Sequence, residues 1–347
     1  MSYLELGKKE LAHENWQKAV EYLKEACTQE PQSSEAYRHL GEALLKQNQF
    51  LDAEKYFRIS IELNPSFNWL YYCLGEALLA QERWLEAEEA YTTSLEYKND
   101  FYWPHYGLSQ ALAGQNKVET AIEILKNAIH MNPDHVFAYQ FMGDMQMELE
   151  HWSEAIDSYK SAIKIDPNFV WAYNKISLSF SRLGYFEKAD IYYEKLLDIS
   201  PDFAEIHKDD INVVKQYGDF FFRRENWGKA AEIYKTAIKF SPNDKYLYTN
   251  YVKVLCQLQA WEQALKILDI FREYYPDSSE TLCMEGDIKY SKGDLKGASK
   301  SYQTALTLDA RNVETNCKLG QIFSLLGEWE NSIEAFQNAI TSSEFKV

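Results

Sequence analysis

The stretch Gly143–Pro167, GDMQMELEHWSEAIDSYKSAIKIDP, sets the plan of the whole chain. It places Gly143, Ala155, Tyr159, Ala162 and Pro167 in a fixed order. Steps of 34 residues back from Ala155 reach Ala121, Ala87, Ala53 and Ala19, and one step forward reaches Ala189. A small residue keeps the same rhythm at Gly7, Gly41, Gly75, Ser109, Gly143 and Ser177. A proline does so at Pro31, Pro65, Pro133, Pro167 and Pro201, with Asn99 standing in once. A fixed period of this length is the signature of a solenoid, in which each unit contacts only its neighbours.

Each unit reads as two short amphipathic helices joined by a tight turn. In the quoted unit the first runs from Val136 to about Leu149 and the second from Trp152 to about Ile165, with apolar residues at i, i+3 and i+4. The small residues mark where the helix axes approach closely, since longer side chains would hold them apart. Proline lacks an N–H and clashes with the preceding turn, so it stops the second helix. One such hairpin cannot bury both its faces, and stacking its neighbours supplies a continuous core.

The pattern resembles the tetratricopeptide repeats. One unit carries it as Tyr37, Leu40, Gly41, Leu44, Ala53, Phe57 and Pro65, another as Tyr139, Met142, Gly143, Ala155, Tyr159, Ala162 and Pro167. Ten units cover essentially residues 1–346, with local departures at Val252, Ala310 and Ser332. The resemblance implies an all-α fold: an α-solenoid, a right-handed superhelix of antiparallel helix pairs whose first helices line a concave groove.

Composition fits this reading. Of 347 residues, 46% are hydrophobic and 26% charged, as in a folded soluble protein. A net charge of −17 disfavours binding to nucleic acid and to anionic membranes. No apolar run reaches the roughly 18 residues of a membrane span, and the N-terminus shows no apolar signal core. Cys27, Cys73, Cys256, Cys283 and Cys317 are odd in number and scattered, which points to reduced thiols and a cytoplasmic location.

The period fails once. Ala189 to Ala230 is 41 residues, and the excess is Ala204–Asp210, AEIHKDD. The expected division is therefore repeats one to six over 1–203, an insertion at 204–210, and repeats seven to ten over 211–347. The insertion either lengthens the next first helix to about Ala204–Arg224 or forms a loop with Asp209 or Asp210 capping a helix of normal length. The longer helix is the favoured form. At the ends, the first helix starts almost at Met1, and only TSSEFKV follows the last. Ile333, Phe336 and Ile340 thus have little chain to cover them, and self-association through uncapped terminal repeats is one consequence.

The tryptophans fall at two repeat positions. Trp16, Trp84, Trp152, Trp227, Trp261 and Trp329, with Phe50 and Phe186, open the second helices, and their recurrence implies core packing. Trp69, Trp103 and Trp171, with Phe137, lie early in the first helices, and Tyr72, Tyr106 and Phe141 lie one turn further along that face. The resemblance places this face in the groove, so repeats three to six offer a row of large rings to a partner. Packing between neighbouring first helices is the plainer explanation.

Charge adds polarity. Glu42, Glu76 and Asp144 share one inward position, while Lys175, Arg182, Lys215, Arg223 and Lys253 sit on the groove side of repeats six to eight. An aromatic, acidic first half suits basic or apolar segments, and a basic second half suits carboxylates or phosphorylated residues. Family members that clamp a C-terminal carboxylate use a Lys, two Asn and two further basic residues. Here Lys215 and Asn250 match, but Asp219, Glu280 and Met284 do not. An asparagine ladder is likewise replaced by His39, Cys73, Gly107, Phe141 and Lys175.

No catalytic motif stands out: there is no G-x-S-x-G, phosphate-binding loop, H-E-x-x-H or G-x-G-x-x-G. His130 and His135 flank a turn without metal-ligand partners at suitable spacing, so no metal or cofactor is expected. The sequence thus points away from an enzyme and towards a scaffold that holds an extended peptide or a partner helix in its groove. The alternative is the substrate-recruiting part of a larger glycosyl-, sulfo- or methyltransferase whose catalytic domain lies outside the chain.

Overall fold

The computed structural model describes residues 1–276 and 278–344. All regular structure among them is α-helical, and no helix is long and apolar enough to cross a membrane. The chain packs as two compact units, Met1–Tyr192 and Tyr193–Val347. The first unit holds the pairs α1 (Tyr3–Ala12) and α2 (Trp16–Gln29), α3 (Ser34–Lys46) and α4 (Phe50–Leu63), and α5 (Asn68–Leu79) and α6 (Trp84–Tyr97). It continues with α7 (Tyr102–Gly114) and α8 (Val118–Met131), α9 (Val136–Glu148) and α10 (Trp152–Ile165), then α11 (Val170–Arg182). The division falls inside α12 (Phe186–Ile199).

The second unit continues with a one-turn α13 (Phe203–Ile206). Its pairs are α14 (Ile211–Arg223) and α15 (Trp227–Phe240), α16 (Lys245–Gln257) and α17 (Trp261–Tyr274), α18 (Ser279–Ser291) and α19 (Leu295–Leu308), and α20 (Val313–Leu326) and α21 (Trp329–Glu344). The seven-residue excess does not lengthen α14, contrary to the favoured expectation. Asp210 stops it: its carboxylate accepts the N–H groups of Asn212 and Val213, which fixes the start of a helix of ordinary length.

Within a repeat the two helices meet where a glycine lies under a ring. A Cβ at Gly143 would stand 2.6 Å from the Tyr159 ring, and Gly41, Gly75, Gly218 and Gly286 are held as closely by Phe57, Tyr91, Tyr234 and Tyr302. Those rings are fully buried. Where the first helix carries Val252, the buried partner is the smaller Leu268.

The buried tyrosines also need an acceptor for the hydroxyl. The residue after the glycine provides it. Tyr91 donates to Glu76, Tyr159 to Asp144, Tyr234 to Asp219 and Tyr302 to Asp287, all at 2.5–2.7 Å. Tyr193 is equally buried but its hydroxyl has no partner, and the sequence of that repeat carries Leu178 where the others carry the acid.

The turn between paired helices is uniform. One residue per repeat takes the left-handed conformation: Glu14, Asn48, Glu82, Asn116, Glu150, Gly184, Glu225, Gln259, Gly293 and Gly327. The N–H that follows each reaches back to a carbonyl of the first helix, as His151 does to Gln146 at 2.8 Å, which closes the helix end.

The aromatic residues that open the second helices are not the core. Trp16, Trp84, Trp152, Trp227, Trp261 and Phe50 are only half-buried, and Phe186 is exposed. Each sits at the rim because its helix is only starting there. Trp84, for instance, lies over Gly114 at the end of the next first helix. Trp329, with no described repeat after it, is 64% exposed. On the same helix Ile333, Phe336 and Ile340 are exposed, as expected.

The ring at the glycine therefore carries more stability than the tryptophan. In urea unfolding, Tyr159→Ala should cost about 3–5 kcal/mol and Trp152→Ala clearly less. Tyr159→Phe should cost about 1 kcal/mol by removing the hydroxyl's bond to Asp144, whereas Tyr193→Phe should be close to neutral.

Candidate functional site

The first turns of α5, α7, α9 and α11 carry the sequence-predicted rings. Trp69, Trp103 and Phe137 recur every 34 residues near the start of these helices. Each meets a ring at the cap position of the next first helix. Trp69 packs on Phe101 at 5.6 Å, Trp103 on His135 at 5.7 Å and Phe137 on Phe169 at 5.9 Å between centroids. The interplanar angles are 89°, 87° and 86°, the edge-to-face arrangement that aromatic quadrupoles favour. The second predicted row joins the same run. Tyr72 lies 4.6 Å from Trp69, and Tyr106 lies 5.4 Å from His135 and 6.1 Å from Phe141.

This run has a local cost. The first helices elsewhere open on Ser2, Ser33, Asp210, Asp244, Ser278 or Asn312, each accepting a first-turn N–H through its side chain. At α5, α7 and α11 the cap is Phe67, Phe101 or Phe169, whose side chain accepts nothing. His135 does both tasks: its Nδ1 accepts the N–H of Ala138 at 3.1 Å while its ring packs among Tyr102, Trp103 and Tyr106. The caps Phe101, His135 and Phe169 were not singled out from the sequence for this face, although their 34-residue spacing was available.

Not every ring is covered. Trp103 is 42% and Phe137 58% exposed, while Trp69, Tyr72, Tyr106, Phe141 and Trp171 are half-buried. Trp69 also donates its indole N–H to Glu42 at 3.2 Å. Beside the run lies an open cavity of about 790 Å³, lined among others by Glu76, Trp84, Tyr106 and Phe141.

The acidic residues differ in their company. Burial pushes the Glu42 carboxyl up, but His39, Arg38 and Trp69 outweigh it and hold it below the ordinary range. Arg38 stands 2.6 Å from Glu42. Asp144 has Lys175 at 3.7 Å besides the Tyr159 hydroxyl. Burial raises the Glu76 carboxyl, and the Tyr91 and Tyr72 hydroxyls only partly offset it.

The basic residues do not gather with the rings. Lys175 is bound to Asp144 and Arg182 is exposed in the first unit. In the second unit Lys215 pairs with Asp244 at 2.5 Å, Lys253 with Glu314 at 3.4 Å, and Arg223 is half-buried. A cavity of about 510 Å³ there is lined by Lys253, Asp287, Tyr302 and Lys318, with Lys318 held 2.9 Å from Asp287 and from Glu314. No group of His, Cys, Asp and Glu suited to a metal ion occurs among the described residues.

Family profiles described as tetratricopeptide repeat match residues 4–66, 41–101, 78–142 and 172–203, and one described as TPR repeat matches 143–184 and 286–327. Together they span more than half of the chain. Hsp70-Hsp90 organizing protein 3 of Arabidopsis thaliana is 28% identical over 100 residues, which is 29% of this chain and only 18% of that protein. Among solved structures, the C-terminal part of a TPR repeat-containing protein from Cytophaga hutchinsonii shares the fold at 14% identity. Its TM-score is 0.56, over 71% of this chain and 98% of that one. YrrB, titled a TPR protein with an unusual peptide-binding site, aligns at 21% identity and TM-score 0.46, over 53% of this chain and 94% of its own.

His135 gives this face a pH dependence. Burial holds its pKa below the ordinary 6.5, and its cap bond to Ala138 needs a neutral ring. The unfolded chain then binds the proton first, so stability is complete above about pH 6.5 and falls as the pH drops from there towards the folded-state pKa. Thermal melts between pH 7.5 and pH 5 should show that fall, and His135→Asn, which can cap but does not titrate, should reduce it.

Proposed function

The chain belongs to the tetratricopeptide repeat family, and from that premise we propose that it is a protein-interaction scaffold whose first unit holds an extended peptide or a partner helix against α5, α7, α9 and α11. One observation carries this reading: helices α5, α7 and α11 give up a capping oxygen for phenylalanine, and the run so built leaves Trp103 and Phe137 open to solvent. Local rules broken without a gain in the core point to function. Exposed aromatic area beside an open cavity is the chemistry of a binding hot spot: large rigid rings lose little entropy when covered. The five cysteines, all free thiols, support a reducing, cytoplasmic setting.

The test begins with selection of peptides from a displayed random library on the full chain. The double variant Trp103→Ala/Phe137→Ala should weaken the selected peptides by about thirtyfold, the loss typical of hot-spot truncation. Its unfolding free energy should stay within about 1–2 kcal/mol of the parent, because both rings are already partly wet. Undiminished binding by this variant would remove the proposed face.

A further inference from the structure

The acid that accepts the core tyrosine hydroxyl recurs, but its charge is not treated alike in every repeat. Asp144 has Lys175 beside it and Asp287 has Lys318. In both cases the lysine stands 31 residues after the acid, on the next first helix. Glu42, at the same position in a repeat whose core ring is Phe57, takes Arg38 from its own helix. At Asp219 the position 31 residues on is Asn250, and the Tyr246 hydroxyl is a second donor at 2.6 Å. At Glu76 no ion pair is found among the described residues, and the position 31 residues on is Gly107. A side chain cannot be accommodated there, because a Cβ on Gly107 would stand 2.4 Å from the Tyr91 ring. The cation that the register supplies elsewhere is thus sterically excluded in this repeat.

Glu76 instead faces the open cavity of about 790 Å³ whose walls include the rings of Trp84, Tyr106 and Phe141. Lys46 also lines it; it is exposed and acts on Glu76 from a distance, without an ion pair between them among the described residues. A desolvated carboxylate ringed by aromatic faces is matched by a cation that can both pair with it and lie over the rings. The net charge of −17 draws such a partner in from a distance.

We propose that this cavity receives a lysine or arginine side chain of the bound peptide, which takes the place that Lys175 and Lys318 occupy beside their own acids. The proposal rests on the peptide-binding reading above and names its partner chemistry. Burial keeps the Glu76 carboxyl above its ordinary range despite the Tyr91 and Tyr72 hydroxyls and the more distant Lys46, and an arriving ammonium or guanidinium in contact would relieve that.

Parallel selections of displayed random decapeptides on the wild-type chain and on Glu76→Gln test it. Glutamine keeps an oxygen for the Tyr91 hydroxyl, and circular dichroism melts check that it folds. Wild type should enrich a basic residue at one fixed offset from the apolar anchors. Replacing that residue by norleucine in a selected peptide should weaken binding about tenfold to wild type and hardly at all to Glu76→Gln. Wild-type ligands with apolar anchors but no basic position, or equal losses in both proteins, would overturn the cation site and leave the groove reading standing. No enriched peptide at all would overturn both.

Discussion

The close approach of two helices at a glycine beneath an aromatic ring is the constraint from which the rest of the molecule follows. It lets a ring as large as tyrosine fill the centre of each repeat, as Tyr91, Tyr159, Tyr234 and Tyr302 do. A buried hydroxyl then demands an acceptor, and the residue after the glycine is the one in reach. An acid at that position is therefore structural before it is anything else. Its second consequence is electrostatic: Glu76, Asp144, Asp219 and Asp287 set carboxylates beside the rings of their repeats, and each must find a cation or bear the cost of burial.

The aromatic run obeys a different logic. Nothing in the glycine–ring core requires Phe67, Phe101 or Phe169 to replace a capping oxygen. Their edge-to-face contacts link successive first helices of the first unit, but they also lift Trp103 and Phe137 into the open. The first helices of the second unit keep polar caps, and there Lys215, Lys253 and Lys318 are tied to Asp244, Glu314 and Asp287.

Much of this was written in the sequence. The 34-residue rhythm of Gly143, Ala155 and Pro167 yields the repeats, the helix pairs and the break near Ala204, because period and breaker residues act locally. The rings at Trp69, Trp103 and Phe137 were legible for the same reason. Burial was harder. Recurrence alone made Trp152 look like core, yet Tyr159, about two turns deeper into the helix, is the buried ring. Recurrence reports an equivalent environment, not a depth. The partners of Glu42, Glu76 and Asp144 were hidden too, since they depend on contacts between helices and on whether a neighbour such as Gly107 leaves room for a lysine. The insertion turned on one side chain, Asp210, whose bonds to the backbone outweigh the continuity of a longer helix.

The three phenylalanine caps have one more effect. Without a side-chain oxygen at the cap, α5 and α11 hold an early amide through the backbone alone, Leu70 donating to the Phe67 carbonyl and Ala172 to that of Phe169 at 3.0 and 3.1 Å, while Pro104 gives α7 no amide there to hold. In the first unit these sparely capped ends are the ones bearing the rings. Whatever covers that face must also still the backbone beneath it, so part of the gain in contact is spent on order. Slow release then depends on how firmly those three first turns are wound, and amide exchange along the first turns of α5, α7 and α11 becomes a direct gauge of occupancy.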